Sequence, residues 1–193
     1  MTQTECEKKV LLSKDEYRRV YGLFFEGQTP EKQSNSYYDT EDRAFQKKNV
    51  TVRIREKNGR YLGTVKTHST DDPDCSVEDF FFIHEIPMSF DYEDTSLVHQ
   101  GDLVTERLET KLDDQTFLVL DRNTYLGETD YELELEYPKE KSERAEGIMV
   151  LLRRILKRER PFERSLSKSD RFFQQLDIYR QEIEEGLFDA YGE

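Results

Sequence analysis

Tryptophan is absent from these 193 residues, and there are only two cysteines, three histidines and five prolines. Cys6 and Cys75 are too few for a disulfide framework and lack metal-type spacing, so a reducing cytosol is the plainest assignment. His68, His84 and His99 show no ligand pattern either. No early apolar run resembles a signal peptide, and no stretch approaches the length of a transmembrane helix. The expected protein is therefore soluble and cytoplasmic, with no membrane partner. Basic residues are outnumbered: 29 against 42 acidic, a net charge of −13. That balance argues against nucleic-acid or anionic-membrane binding through the outer surface, but it leaves room for a local basic interior.

Charged residues make up 37% of the chain, which could suggest disorder, but 12% aromatic residues and repeated strand patterns argue for folding. The length fits a single domain over 1–193, with no internal repeat, low-complexity tract or dividing linker.

The clearest pattern lies at Asp130 to Pro138. Tyr131, Leu133, Leu135 and Tyr137 alternate with Glu132, Glu134 and Glu136, which describes a strand with one apolar face and one row of carboxylates. Side chains two apart on a strand sit roughly 7 Å apart, so neighbouring carboxylates repel by about 2.4 kcal/mol at an effective dielectric near 20. Solvent would screen such a row, and alone it describes an exposed sheet face. Matching rows change that. Glu5, Glu7 and Lys9 share one side of a strand, Arg53 and Arg55 oppose Val52 and Ile54 on another, and Lys66 and Arg107 sit in two more.

If these strands close with their charged faces inward, the interior holds Glu5, Glu7, Glu132 and Glu134 against Lys9, Arg53, Arg55, Lys66 and Arg107. Buried charges persist only when paired, hydrogen-bonded or bound to ions, so that interior would be wet and ligand-binding. The expected fold is mainly β: a closed antiparallel eight-stranded barrel with flanking helices, its strands mainly within 1–137 and its C-terminal helices within 140–185.

Other elements follow from local signals. Ser13-Lys14-Asp15-Glu16 has the form of a capping box opening a helix with Tyr17, Val20, Tyr21 and Phe24 on one face. Gly27 to Ser34 reads as a loop, Ser36 to Thr40 as a short strand and Ala44 to Lys48 as a brief helix. Asn58-Gly59 marks a hairpin between the Arg53 and Lys66 strands. Val77 to Ile86 reads as a strand, and Pro87 to Asp102 as irregular with one short helix. Leu103 to Leu112 pairs with Phe117 to Asp121 across Asp113-Asp114. Glu143 to Lys157 is a helix with Ile148, Leu151, Leu152 and Ile155 on one face, and a last helix from Ser167 or Ser169 carries Phe172, Phe173, Leu176, Ile178 and Ile183.

Taken in order, Glu5-x-Glu7-x-Lys9, Tyr37-Tyr38-Asp39-Thr40, Arg53-Ile54-Arg55-Glu56, Thr64-Val65-Lys66, Arg107, Asp121, Glu132-Leu133-Glu134 and Lys168 resemble the CYTH, or triphosphate tunnel metalloenzyme, family. The resemblance covers almost the whole chain. It implies a tunnel in which Lys9, Arg53, Arg55, Lys66, Arg107 and Lys168 hold phosphate oxygens while Glu5, Glu7, Asp121, Glu132 and Glu134 hold Mg²⁺ or Mn²⁺. Glu5, Glu7, Lys9 and Arg55 are the expected catalytic group. Arginine offers phosphate a fixed fork and lysine a mobile point charge, and an all-carboxylate ligand set favours Mg²⁺ or Mn²⁺ over Zn²⁺. The implied activity is hydrolysis of the terminal phosphate of inorganic triphosphate or a nucleoside triphosphate by a monomer or homodimer. A class IV-type adenylate cyclase and a non-catalytic polyphosphate or nucleotide binder are the alternatives.

Three departures narrow the substrate. Thr51 stands where thiamine triphosphatases of this resemblance carry a ring-stacking tryptophan, and Thr105 where the cyclases carry a lysine. Ser76, Val77 and Glu78 occupy a region that often brings another basic residue. Glu136 shares the carboxylate face without a role in the motif, and Arg122 stands beside Asp121 as a competitor for substrate.

Overall fold

The alternating segments form nine strands in a computed structural model that describes residues 2–69 and 71–186. They are β1 (Thr2–Leu12), β2 (Glu31–Asp39), β3 (Val50–Lys57), β4 (Arg60–His68), β5 (Cys75–Phe82), β6 (Ser89–Tyr92), β7 (Thr95–Asp113), β8 (Thr116–Tyr125) and β9 (Glu128–Tyr137). Their order is β2-β3-β4-β5-β1-β9-β8-β7-β6, and β2 also pairs with β7. That extra pairing closes eight strands into an antiparallel barrel with no free edge, leaving β6 as a short flap hydrogen-bonded to the start of β7.

Register sorts the side chains. Lys9 lies opposite Glu134 and Glu7 opposite Glu136, Arg55 faces Asn35, and Arg107 pairs with Asp121, which in turn pairs with Glu132. Opposed residues share a face, so the ionic rows all point into the bore. The apolar rows point out and need cover. Val10, Leu108, Leu118, Leu120, Leu133 and Leu135 are buried on the outside beneath α1 (Lys14–Val20) and α2 (Ser142–Ile155). Another outer patch, Val52, Ile54, Val65 and Leu97, is covered by Phe90 and Tyr92 of β6 together with Phe81.

Ser13 and Glu16 form the capping box that starts α1, and the chain runs on through a π-turn at Tyr21–Phe25, burying Val20 and Phe25. In α2 the buried residues are Ala145, Met149 and Leu152, spaced by four and three. A third helix, α3 (Lys168–Glu184), is capped by Ser167, whose hydroxyl accepts from the Asp170 amide. Its Phe172, Phe173 and Leu176 enter one end of the barrel and pack on Tyr37, Leu103 and Tyr125. Gly101 makes that docking possible. It sits with φ +142° at a register shift beside Tyr37 and Tyr38, and a Cβ there would lie 2.8 Å from the Phe172 ring.

Several elements differ from the sequence reading. The loop expected over Gly27 to Ser34 gives way to strand at Glu31, because its inward residues, Gln33 and Asn35, are themselves polar and hide the alternation. Pro87 to Asp102 contains β6 and the first part of the 19-residue β7, not a helix. The brief helix near Ala44 is a single 3₁₀ turn at Gln46–Lys48. Leu151 faces out of α2, and Ile178 and Ile183 are half exposed on α3. Cys6 and Cys75, 69 residues apart, are cross-strand partners joined by a disulfide. Spacing along the chain carried no sign of that pairing: two cysteines, too few for a framework, still form one bridge once the strands align.

Candidate active site

The bore has one acidic wall and one mixed wall. On the acidic wall β8 supplies Asp121 and β9 supplies Glu132 and Glu134; Asp121 and Glu132 are fully buried and Glu134 nearly so. Three like charges at this depth require compensation, since an unpaired buried carboxylate costs several kcal/mol. Three cations supply it. Arg107 of β7 lies 2.7 Å from both Asp121 and Glu134 and 3.3 Å from Glu136. Lys168, the first residue of α3, places its Nζ 3.0 Å from Asp121 and 2.9 Å from Glu132, and donates to Glu134 as well. One turn on, Arg171 bridges Glu132 at 2.9 Å and Asp130 at 2.8 Å while donating to the Leu166 carbonyl.

The wall around β1, β4 and β5 is mixed. Lys9 contacts Glu7 at 2.5 Å, and Lys66 reaches Glu5 at 2.7 Å, Glu78 at 3.4 Å and Glu7 at 3.6 Å. Arg53 approaches Glu78 at 3.4 Å, yet its Nε is buried with no partner. Arg55 is different again. Its Nε donates to Asn35 at 2.9 Å, and among the described residues it makes no ion pair. Burial, with the like charges of Arg53 and Arg107, pushes its pKa down to about 9. The guanidinium remains a cation at neutral pH, one whose surroundings favour an anion beside it.

The carboxylates respond to the same geometry. Burial raises Glu7, but Lys66, Lys9 and Lys168 outweigh that and hold it well below its ordinary value. Burial raises Glu134, where the nearby Glu7 and Asp121 charges add to it and outweigh Lys168 and Arg107. Glu136 is raised to about 7 by burial, with Glu134, Glu5 and Glu7 adding their repulsion against Arg107. Lys168 is held well above its ordinary value because Glu132, Glu134 and Asp121 overcome the opposing effect of burial.

Glu5, Glu7, Lys9, Arg53, Arg55, Lys66, Arg107, Glu134 and Lys168 line one cavity of about 120 Å³. Asp121 and Glu132 sit just behind, against Lys168. All eleven sequence-predicted residues thus meet in one place. Glu136 and Glu78 also line it, and Thr51, His68 and Ser167 connect it to a cavity of about 580 Å³ beneath Phe162 and Met149. Arg122 does not belong. It lies on the outside, half exposed and paired with Glu106 at 2.8 Å, one residue out of phase with Asp121.

Sequence reasoning missed Arg171 and Glu78. Glu78 carried a signal, since it alternates with Ser76 and Phe80 along β5. Arg171 lies on a helix, where strand alternation says nothing.

No three His, Cys, Asp or Glu side chains among the described residues stand as an open metal-binding group. Asp121, Glu132 and Glu134 do converge, but on Lys168. Their chemistry still fits a hard divalent cation, because every donor is a carboxylate oxygen.

An eight-stranded antiparallel barrel with an ionic bore, apolar outer faces under helices and a helical plug defines the class of this protein. The CYTH domain model matches residues 3–173, and the chain belongs to the CYTH family. YjbK of Bacillus subtilis (strain 168), which carries a provisional triphosphatase name, is 31% identical over 151 residues, covering 69% of this chain and 77% of that protein. A crystal structure from Bacillus halodurans, provisionally named an adenylate cyclase, has a TM-score of 0.73 at 26% identity and covers 89% of this chain and 98% of the other. HpAC1 from Hippeastrum, described as having a dominant triphosphatase activity, shares the fold with a TM-score of 0.63 at 18% identity, covering 90% and 96%.

Proposed function

We propose that the bore is the active site of a divalent-metal-dependent hydrolase that releases the terminal phosphate of inorganic triphosphate or a nucleoside triphosphate. The observation that carries this reading is Arg55: a guanidinium without an ion pair beside Arg53, facing a carboxylate wall across a cavity of about 120 Å³. A protein does not leave a buried cation uncompensated without cost, and a triphosphate with about four negative charges is a compensating ligand. The triphosphatase name of YjbK supports the same reading.

In this assignment Arg53, Arg55, Lys66, Lys9 and Arg107 bind phosphate oxygens, and Lys168 joins them. Glu5, Glu7, Asp121, Glu132 and Glu134 hold Mg²⁺ or Mn²⁺, which when bound neutralises phosphate charge and lowers the pKa of a bound water. Glu7, kept ionised by its lysines, orients the attacking water, with Glu5 beside it. Arg55 and Lys9 stabilise charge on the phosphoryl oxygens as the bond from the terminal phosphorus to the bridging oxygen breaks. The catalytic group is Glu5, Glu7, Lys9 and Arg55. Inorganic triphosphate needs the bore alone, whereas a nucleoside would find room in the adjoining 580 Å³ cavity.

The test is orthophosphate release from inorganic triphosphate, ATP, GTP and thiamine triphosphate with Mg²⁺ and Mn²⁺ in turn. Turnover with at least one of the first three, lost in Glu5→Gln and Arg55→Ala, is the expected result. Unchanged turnover in both variants would remove the bore from the chemistry. ATP converted to cyclic AMP and pyrophosphate would replace hydrolase with cyclase, and tight binding without turnover would leave a binding module.

A further inference from the structure

We propose that Lys168 is a resident cation in the metal cage: its ammonium occupies the place between Asp121, Glu132 and Glu134, and a divalent ion must expel it to bind. This rests on the reading that those carboxylates hold the metal. An ammonium has three N–H donors and no more. Here three different carboxylates surround it, at 3.0 Å for Asp121, at 2.9 Å for Glu132, and in contact for Glu134. Its charge is matched by three carboxylates and it already donates to Glu134, so Lys168 is committed to the acidic wall and away from phosphate where it stands.

The surroundings make the exchange feasible. Arg107 grips both oxygens of Asp121 and the Glu134 oxygen that Lys168 leaves free, and Arg171 grips both oxygens of Glu132, so the three carboxylates stay tethered when the ammonium leaves. Lys168 is the first residue of α3 and has a flexible stem, so it can swing without moving the helix, which is anchored by Phe172 and Phe173. Its exit leads into the same cavity that Arg55 and Arg53 line. One movement thus opens an oxygen-ligand site and delivers a sixth cation to the phosphate site. Metal binding and triphosphate binding are coupled through this side chain, each favouring the state the other needs.

Two measurements test the exchange, neither of which requires turnover. The first is Mn²⁺ binding, without phosphate, to the wild type, to Lys168→Met and to Glu134→Gln. Lys168→Met should bind Mn²⁺ at least tenfold more tightly than the wild type, while Glu134→Gln should bind more weakly. The second uses only the wild-type protein, so it stands even if Lys168→Met does not fold. Amine acetylation at Lys168, followed by mass spectrometry, should accelerate several-fold when Mn²⁺ is added, because the nitrogen leaves its carboxylates.

Equal Mn²⁺ affinity in wild type and Lys168→Met, or an acetylation rate indifferent to Mn²⁺ that binds, would overturn the resident-cation role while leaving the metal site intact. Absence of Mn²⁺ binding in every form would instead overturn the metal reading, and this inference with it.

Discussion

Arg55 and Lys168 are both cations in the same bore, yet they stand in opposite energetic positions. Lys168 is neutralised three times over, whereas Arg55 has only an amide oxygen. Replacing Arg55 with methionine removes a buried like charge facing Arg53 and Arg107 at little loss of packing. The variant should therefore melt at the same temperature as the wild type or up to a few degrees higher, while the rise in melting temperature caused by inorganic triphosphate should shrink markedly. Differential scanning calorimetry with and without triphosphate reads both. A variant that melts several degrees lower but still responds to triphosphate would mean that Arg55 is structural. Arg107 is expected to behave in the reverse way, because truncating it leaves Asp121 and Glu134 facing each other with one cation fewer.

Among the elements, the barrel is tied together at two places where sequence-distant segments meet. Arg158, just beyond α2, donates to both oxygens of Glu16 on α1, at 2.6 and 2.8 Å, and to the Leu11 carbonyl at the end of β1. The Arg158 hydrogen bonds hold the Glu16 carboxyl down to about 2, against an ordinary value of 4.5. A depressed carboxylate contributes stability that is present above the unfolded pKa and is lost as pH falls through the folded one. With both groups partly exposed, about 1–2 kcal/mol is a fair expectation. Glu16→Gln should be less stable than the wild type by that amount at pH 7, with the gap closing between pH 4.5 and 2 in denaturant titrations. A gap that stays constant over that range would exclude the ion pair as its source.

The second tie is Cys6–Cys75 across the β1–β5 seam, where five residue pairs are in register among the described residues. Closing a 69-residue separation limits the unfolded chain by about 4 kcal/mol in the loop-entropy view. Reduction, or the double replacement of Cys6 and Cys75 by alanine, should lower the urea midpoint accordingly. An unchanged midpoint would show that the seam holds without it.

These elements also show where the sequence could be read and where it could not. Strands with one charged and one apolar face announce themselves, which is why β1, β3, β4 and β9 and their inward residues were legible. In β2 both faces carry polar residues near Glu31 to Ser36, so the period vanished. In β7 the break at Gly101 interrupted it. The placement of Lys168 depended on how α3 enters the barrel, which is decided by Phe172 meeting Gly101 and not by anything local to the lysine. Arg171 and the Cys6–Cys75 partnership are likewise products of closure.

At the scale of the whole molecule, a chain with net charge −13 encloses a bore in which six cations face five carboxylates of the proposed site. The outer surface repels polyanions, while the interior gathers arginines and lysines that burial makes more effective. Helices and the β6 flap cover the apolar outside, so the strands are free to devote their inner faces to charge. Calorimetric titration of inorganic triphosphate into wild type and Arg55→Met, at fixed Mn²⁺, tests that arrangement most directly. One molecule should bind per barrel, with affinity reduced by tenfold or more in the variant, as the loss of a charge-assisted fork predicts. Equal affinity in the two proteins, or no binding to the wild type, would contradict the bore as a triphosphate site.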